Sequence, residues 1–261
     1  MSVPTIEVAA RGSIVIITLN RPDHANTLNL RMAMDLLAAA MACERGGAAR
    51  AVVLTGAGTH FCFGGDLRGM IEQGGAVEAY LRELTSYLHA AISHFVRMDA
   101  PVIAAVNGTA AGAGLGLVAM ADLAIAAQGA KFVSAYAGVA LTPDASTSFF
   151  LPRIVGAKRA LELVLTNRAL TAAEALEWGL VNQVVAEGTA LDEAVRLAER
   201  LAAGPIRSFG KSKQLLAGSN GALEAQLALE SQMIARQAAT EEGQEGIAAF
   251  LEKRKPQFPG K

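Results

Sequence analysis

The chain has 261 residues, of which 52% are hydrophobic and 18% charged. That length suits one large domain or a domain with a modest appendage, and so apolar a composition excludes disorder and favours extensive burial or an oligomeric interface. Lys and Arg number 23 against 24 Asp and Glu, a net charge of -1, which leaves no broad field for nucleic acid or an anionic membrane, so any bound anion is held locally.

Residues 14–19 (IVIITL) read as a strand, followed by a turn at Asn20, Arg21, Pro22 and Asp23 and an apolar-periodic helix over 28–43. Residues 51–54 (AVVL) and 102–106 (VIAAV) read as buried strands, each followed by a Gly-rich turn. Between them a helix over 76–97 carries an apolar stripe of Leu81, Leu84, Leu88, Ala91 and Phe95. Residues 100–121 lack charge over the length of a membrane helix, but Pro101, Asn107 and four glycines make strand, turn and buried helix the better reading. Short strands follow at 123–127 and 132–134, and a last one at 181–185. Beyond residue 156 helical patterns dominate, at 157–165, 172–177, 192–203, 221–237 and 241–253. They are rich in Ala and Leu on more than one face, as suits helices packed on the core or on another subunit. Interleaved strands and helices make an α/β fold, with a core over 1–200 and a C-terminal helical region over 201–261.

Cys43 and Cys62 are the only cysteines, too few for a disulfide framework or a cysteine zinc site, and they fit a reducing, cytoplasmic setting. Residues 1–11 include Glu7 and Arg11 and lack a basic start followed by an apolar run, so no secretory signal is expected. Two Gly-rich segments, 55–67 (TGAGTHFCFGGDL) and 107–117 (NGTAAGAGLGL), follow strands. Neither ends in Lys-Ser/Thr as a phosphate loop would, and the second lacks dinucleotide-fold spacing. Both offer unhindered backbone amides, near Gly65 and at the helix start near Ala113, where the dipole is positive. Those amides suit either an oxyanion hole or tight helix-on-strand packing.

The chain resembles the enoyl-CoA hydratase/isomerase (crotonase) family. Leu19-Asn20-Arg21-Pro22 with Asn26-Thr27-Leu28-Asn29 is similar to that family's first signature, the segment from Phe61 to Leu67 to its second and residues 105–117 to its third. Trp178-Gly179-Leu180-Val181 and residues 250–260 extend the likeness over nearly the whole chain. The resemblance implies a spiral of ββα units, a helical C-terminal part that forms a homotrimer or dimer of trimers, and a thioester oxygen held by the amides of Gly65 and Ala113. It implies an acyl-CoA substrate contacted by His24, Ala25, Phe63, Gly64, Asp66, Leu67 and Gly112, with Phe250 and Lys253 serving a neighbour's site. It implies no metal or redox cofactor, the coenzyme A thioester being the substrate.

The family's hydratases carry two glutamates, at positions that read here as Gly116 and Tyr136. Neither residue can move a proton as a glutamate does, and addition of water to a conjugated double bond needs the pair. Between Asp122 and Glu162 the only carboxylate is Asp144. Read from the residues alone it suits a helix N-cap. The resemblance makes it the essential aspartate of ring-epoxide acyl-CoA isomerases or 4-chlorobenzoyl-CoA dehalogenases, withdrawn from water by Leu141, Phe149 and Phe150. His89 stands where the dehalogenases have a water-activating histidine, yet it lies off the apolar stripe and equally suits a solvated surface position. The dehalogenases' aromatic cage is incomplete here, with Gly65 and Leu88 at two of its positions and Tyr136 left. These residues favour an isomerase with Asp144 as acid and base, with dehalogenation or acyl-CoA binding without chemistry as alternatives.

Overall fold

Apolar runs with no polar alternation become the centre of a six-stranded sheet, because strands covered on both faces have no solvent side to keep polar. The computed structural model describes residues 4–45 and 49–218, with isolated positions at 241, 245, 252, 254 and 257. In the large sheet, β1 (Ile6–Arg11) pairs antiparallel with β2 (Ile14–Leu19). Then β3 (Ala51–Gly56), β5 (Val102–Val106), β7 (Leu123–Ala127) and β10 (Gln183–Val185) follow in parallel, in the order β1-β2-β3-β5-β7-β10. Val52, Leu54, Val102, Ala104 and Val106 face the main core. The alternate residues Ala51, Val53, Ile103 and Ala105 face Ala194, Val195, Ala198 and Ala202 of a helix, α8 (Ala190–Ala202), on the other side. Alanines at spacings of four let that helix lie close against the strands. Some of the Ala-rich character of the last third thus serves intramolecular packing. α8 also runs across residue 200, where the core was expected to end.

A second, four-stranded sheet has the order β4-β6-β8-β9. Its strands β4 (His60–Cys62), β6 (Thr109–Ala111) and β8 (Lys131–Val133) are parallel, and β9 (Ala169–Thr171) closes it antiparallel to β8. The chain alternates between the sheets: β3 then β4, β5 then β6, β7 then β8, each pair followed by helix. This is the expected ββα spiral. The helices are α1 (Leu30–Glu44), α2 (Leu67–Glu72), α3 (Val77–Arg97), α4 (Ala113–Met120), α5 (Thr147–Val155), α6 (Ala157–Thr166), α7 (Ala172–Glu177), α8 and α9 (Ile206–Gly218). α4 is buried at all eight positions, which explains its uniformly apolar sequence. Among the described residues no helix is long and apolar enough to cross a membrane.

Six elements go beyond the sequence reading: β1, β4, β6, β9, α2 and α9. Three-residue strands are too short to show alternation, and β1 is an edge strand exposed at five of its six positions. The helices expected at 221–237 and 241–253 lie outside the described residues, apart from Glu241, Glu245 and Glu252.

α9 is fastened to the core by charge. Lys213 Nζ lies 2.7 Å from Asp122 Oδ2 and donates to the Ala100 carbonyl at 3.0 Å. Asp122 Oδ2 also accepts the Val102 amide at 2.7 Å, at the entrance to β5. Burial pushes the Asp122 carboxyl above its ordinary value, a rise that Lys213 opposes without cancelling. Both side chains are largely buried. Lys213→Met therefore destabilises the fold by about 3 kcal/mol, and adding Asp122→Asn restores most of that loss, as measured by denaturant unfolding. Equal stability of Lys213→Met and the parent would contradict this account.

Candidate active site

Three parallel strands of the small sheet end beside one cavity, as ligand sites in α/β proteins gather at the carboxyl ends of parallel strands. β4 runs on through Phe63 to Gly64 and Gly65, β6 into Gly112 and the α4 start at Ala113, and β8 through Ser134 to Tyr136. The cavity encloses about 620 Å³ and includes Gly64, Gly65, Gly112, Ala113, Tyr136 and Asp144 in its wall. The rest of the wall is largely apolar, with Leu28, Met70, Leu84, Leu88, Val133 and Leu141. Among the described residues Lys131 and Asp144 are its only charged ones.

Local backbone geometry frees two amides at this point. Leu28 donates to the Gly64 carbonyl at 2.7 Å and Asp66 to the Leu28 carbonyl at 2.9 Å, so the Gly65 amide falls between ladder bonds. Ala113 opens α4, where the first amides have no carbonyl within the helix. Among the described residues neither the Gly65 nor the Ala113 amide donates a hydrogen bond. Gly64 (φ +88°) and Gly112 (φ +53°) are both left-handed, and a Cβ on Gly112 would stand 3.5 Å from the Gly64 Cα. A Cβ on Gly64 would stand 3.0 Å from the Ala111 carbonyl and 3.3 Å from the Ala113 nitrogen. Tight packing and paired amides are thus one arrangement rather than two competing explanations.

The segment from residue 20 to 29 holds the Gly64-Gly65 loop in place. Asn26 is fully buried, and its amide nitrogen donates to the carbonyls of Ala57 at 2.9 Å and His60 at 2.8 Å. Phe63 donates to the Ala25 carbonyl at 3.1 Å. Arg21 pairs with Asp66 at 2.8 Å, with both side chains largely buried, and Asp66 caps α2 through the Gly69 amide. Burial works to raise the Asp66 carboxyl. The hydrogen bonds from Arg21 and Gly69, with the Arg21 charge, outweigh it and hold the group below the usual carboxylate range.

The same cavity is lined by the segment bearing Tyr136 and Asp144. Ala135, Ala140, Ala145 and Ser146 all have left-handed backbone, with φ of 63°, 55°, 47° and 64°. Such conformations cost on the order of 1 kcal/mol each for residues with a Cβ and gather at functional sites. The Tyr136 phenol donates to Asp144 Oδ1 at 2.6 Å. Burial first, and then the Asp144 charge, push that phenol above its ordinary value, so it stays protonated as a donor. The N-cap of α5 is Ser146, not Asp144, whose side chain is turned to Tyr136 instead. Only Leu141 of the three expected apolar neighbours shares its cavity, since Phe149 and Phe150 line a separate one with Arg153 and Lys213.

The expected site residues divide into groups. Gly65, Ala113, Tyr136, Asp144, Phe63, Gly64, Leu67 and Gly112 all line the cavity. His24 and Asp66 line a neighbouring polar cleft of about 440 Å³ with Arg21, Arg68 and Tyr80. Ala25 lines neither and serves through its carbonyl. His89 is exposed on α3 and does not line the cavity; its neighbour Leu88 does, because one step along a helix turns a side chain through roughly 100°. Phe250 and Lys253 lie outside the described residues. Lys131, Met70 and Thr85 also line the cavity, and nothing in their local sequence signals it.

The sequence model described as enoyl-CoA hydratase/isomerase matches residues 9–261. The chain is 37% identical to 1,2-epoxyphenylacetyl-CoA isomerase of Escherichia coli (strain K12), over 95% of each chain. It is 37% identical to a 4-chlorobenzoyl coenzyme A dehalogenase of an Arthrobacter species, covering 84% of this chain and 80% of that one. With 2,3-dehydroadipyl-CoA hydratase of E. coli it shares 35% identity over 97% and 98% of the two chains. The crystal structure of an enoyl-CoA hydratase from Polaromonas sp. JS666 superposes with a TM-score of 0.93 at 36% identity, covering 97% of this chain and 99% of that one.

Gly116 decides whether the Asp144 segment can sit where it does. A Cβ there would run into the Ala145 carbonyl and stand 2.8 Å from Thr147 Oγ1, so backbone fills the space that a side chain on α4 would need. Gly116→Ala therefore destabilises by about 1–3 kcal/mol, read as a lowered melting temperature. Gly75→Ala, with open space around the added methyl, serves as the near-neutral control. A Gly116→Ala protein as stable as that control would refute the packing argument.

Proposed function

Because the chain belongs to the enoyl-CoA hydratase/isomerase family, we propose that it isomerises an enoyl-CoA or ring-epoxide acyl-CoA thioester, with Asp144 moving the proton. The observation that carries this reading is the cavity wall: it includes both free amides, and among the described residues Asp144 is its only carboxylate. Relatives of similar identity are named as isomerases and as hydratases, so the choice between them rests on these residues. Hydration calls for two carboxylates, one to activate water and one to deliver a proton. Gly116 and Tyr136 stand at the two positions, and the Gly116 position has no room for a side chain.

For an enoyl substrate with its double bond between the third and fourth carbons, the Asp144 carboxylate takes a proton from the second carbon. The electron pair moves into the thioester carbonyl, and the resulting dienolate oxygen accepts the amides of Gly65 and Ala113. A donor of this kind contributes roughly 3–4 kcal/mol in known oxyanion holes. Asp144 then returns the proton to the fourth carbon, leaving the double bond conjugated with the thioester. Substrate and product have the same atoms, and the reading calls on no cofactor besides the thioester itself. The apolar wall suits an uncharged acyl group, and the polar cleft at His24 and Arg68 suits the nucleotide part of coenzyme A. The exposed position of His89 counts against dehalogenation, which needs a base to cleave an aryl ester on Asp144. We place the enzyme in the cytoplasm, as a trimer or pair of trimers in which Phe250 and Lys253 reach a neighbour's coenzyme A site.

Two measurements test this. With 3-hexenoyl-CoA in deuterium oxide, the enzyme forms the conjugated thioester and exchanges label into the acyl chain, and Asp144→Asn slows both by about 10²–10⁴-fold. Hydration of 2-butenoyl-CoA at tens per second, undiminished in Asp144→Asn, would overturn the isomerase. Light scattering at micromolar concentration gives the mass of three or six chains, and a monomer would remove the assembly from the reading.

A further inference from the structure

Tyr136 has two unusual features that the isomerisation above does not use. Its phenol is buried yet ends 2.6 Å from Asp144 Oδ1. The stretch between the two residues also contains left-handed backbone at Ala140, with Ala135 just before it and Ala145 and Ser146 just after. The Tyr136 carbonyl accepts the amides of Val139 at 3.1 Å and Leu141 at 3.0 Å, which binds the loop to the residue that reaches across it. The phenol therefore closes the loop from residue 136 to residue 144 at the carboxylate. A distance of 2.6 Å is that of a hydrogen bond from a neutral hydroxyl to an ionised oxygen. Thr147, fully buried, lies against Gly116 with its hydroxyl beside the Tyr136 phenol, so the loop's far end is fixed by packing.

We infer that Tyr136 is a positioning residue that clamps Oδ1 of Asp144, so that Oδ2 alone carries the substrate proton. The inference rests on the isomerase reading for its kinetic consequence, but the clamp itself is a property of the free protein. A carboxylate pinned by one oxygen cannot rotate about its Cβ–Cγ bond to exchange the two. The proton taken from one carbon then stays on the oxygen that faces the acyl chain and returns to another carbon before water replaces it. Without the clamp the protonated carboxyl swings, and the proton is lost to solvent between the two transfers. Burial and the Asp144 charge keep the phenol protonated, so it serves as a donor across the neutral range and takes no proton from the substrate.

The test compares Tyr136→Phe with the parent on 3-hexenoyl-CoA in deuterium oxide. Expected are a fall in kcat of roughly tenfold to a hundredfold, the worth of a hydrogen bond to a charged group, with KM within about twofold. Deuterium incorporated per product molecule rises at the same time. A variant that loses rate but keeps the parental deuterium content per product would overturn the clamp, because a damaged fold slows both paths alike. If the parent does not isomerise this thioester, the functional reading fails and the clamp is judged without turnover. Phenolate absorbance is then followed with rising pH. In the parent one of the three tyrosines ionises above the ordinary value of about 10, and Asp144→Asn lowers that step. The same step in both proteins would overturn the clamp.

Discussion

Two backbones pass so closely at Gly64 and Gly112 that a Cβ on either would contact the other's Cα, and the site is arranged around that contact. It forms because β4 and β6 are parallel neighbours whose chains turn at the same end of the small sheet. Both glycines have left-handed backbone, so each turn is open to glycine at no steric cost. Gly65 and Ala113, in the wall of one cavity, keep their amides without an acceptor among the described residues, one between ladder bonds and one at a helix start. Two donors that need no reorganisation can stabilise developing negative charge far better than solvent does.

Much of what makes the chain resemble its family supports this contact without reacting. Arg21, Asn26 and Asp66 bind the N-terminal segment to the Gly64-Gly65 loop. Asn107 holds the other side, accepting the Gly56 amide at 3.2 Å and donating to the Gly58 carbonyl at 2.9 Å. Asn and Arg suit such work because one side chain satisfies several backbone groups of irregular loops, which buried chain cannot leave unpaired. The most recognisable residues of the sequence are therefore largely those that hold a loop.

The place of Asp144 is set by an exchange of space between α4 and the segment after β8. With no side chain at Gly116, the backbone of residues 145–147 packs on the helix and carries Asp144 to the cavity. A larger residue at that position and the present loop path exclude each other sterically. Strain at Ala135, Ala140, Ala145 and Ser146 is offset by this packing and by the Tyr136 hydrogen bond.

How much of this was legible follows from the range of the interactions involved. Strands at 14–19, 102–106 and 123–127 and the helix at 172–177 match their sequence readings residue for residue, because a run of apolar residues or a capping box such as Thr171 with Glu174 is a local signal. The three-residue strands β4 and β6 carry no period, although they lead into Gly65 and Ala113, whose amides are without an acceptor among the described residues. The sequence alone determined the α/β class, the family likeness and the glycines that free two amides, all of which depend on residues near one another in the chain. Only the tertiary structure decided that Asp144 meets Tyr136 rather than capping α5, that His89 turns to solvent, and that Gly116 leaves room for backbone. Those outcomes depend on loop paths and on contacts between α4 and a segment some 30 residues away, distances over which composition and periodicity carry no information.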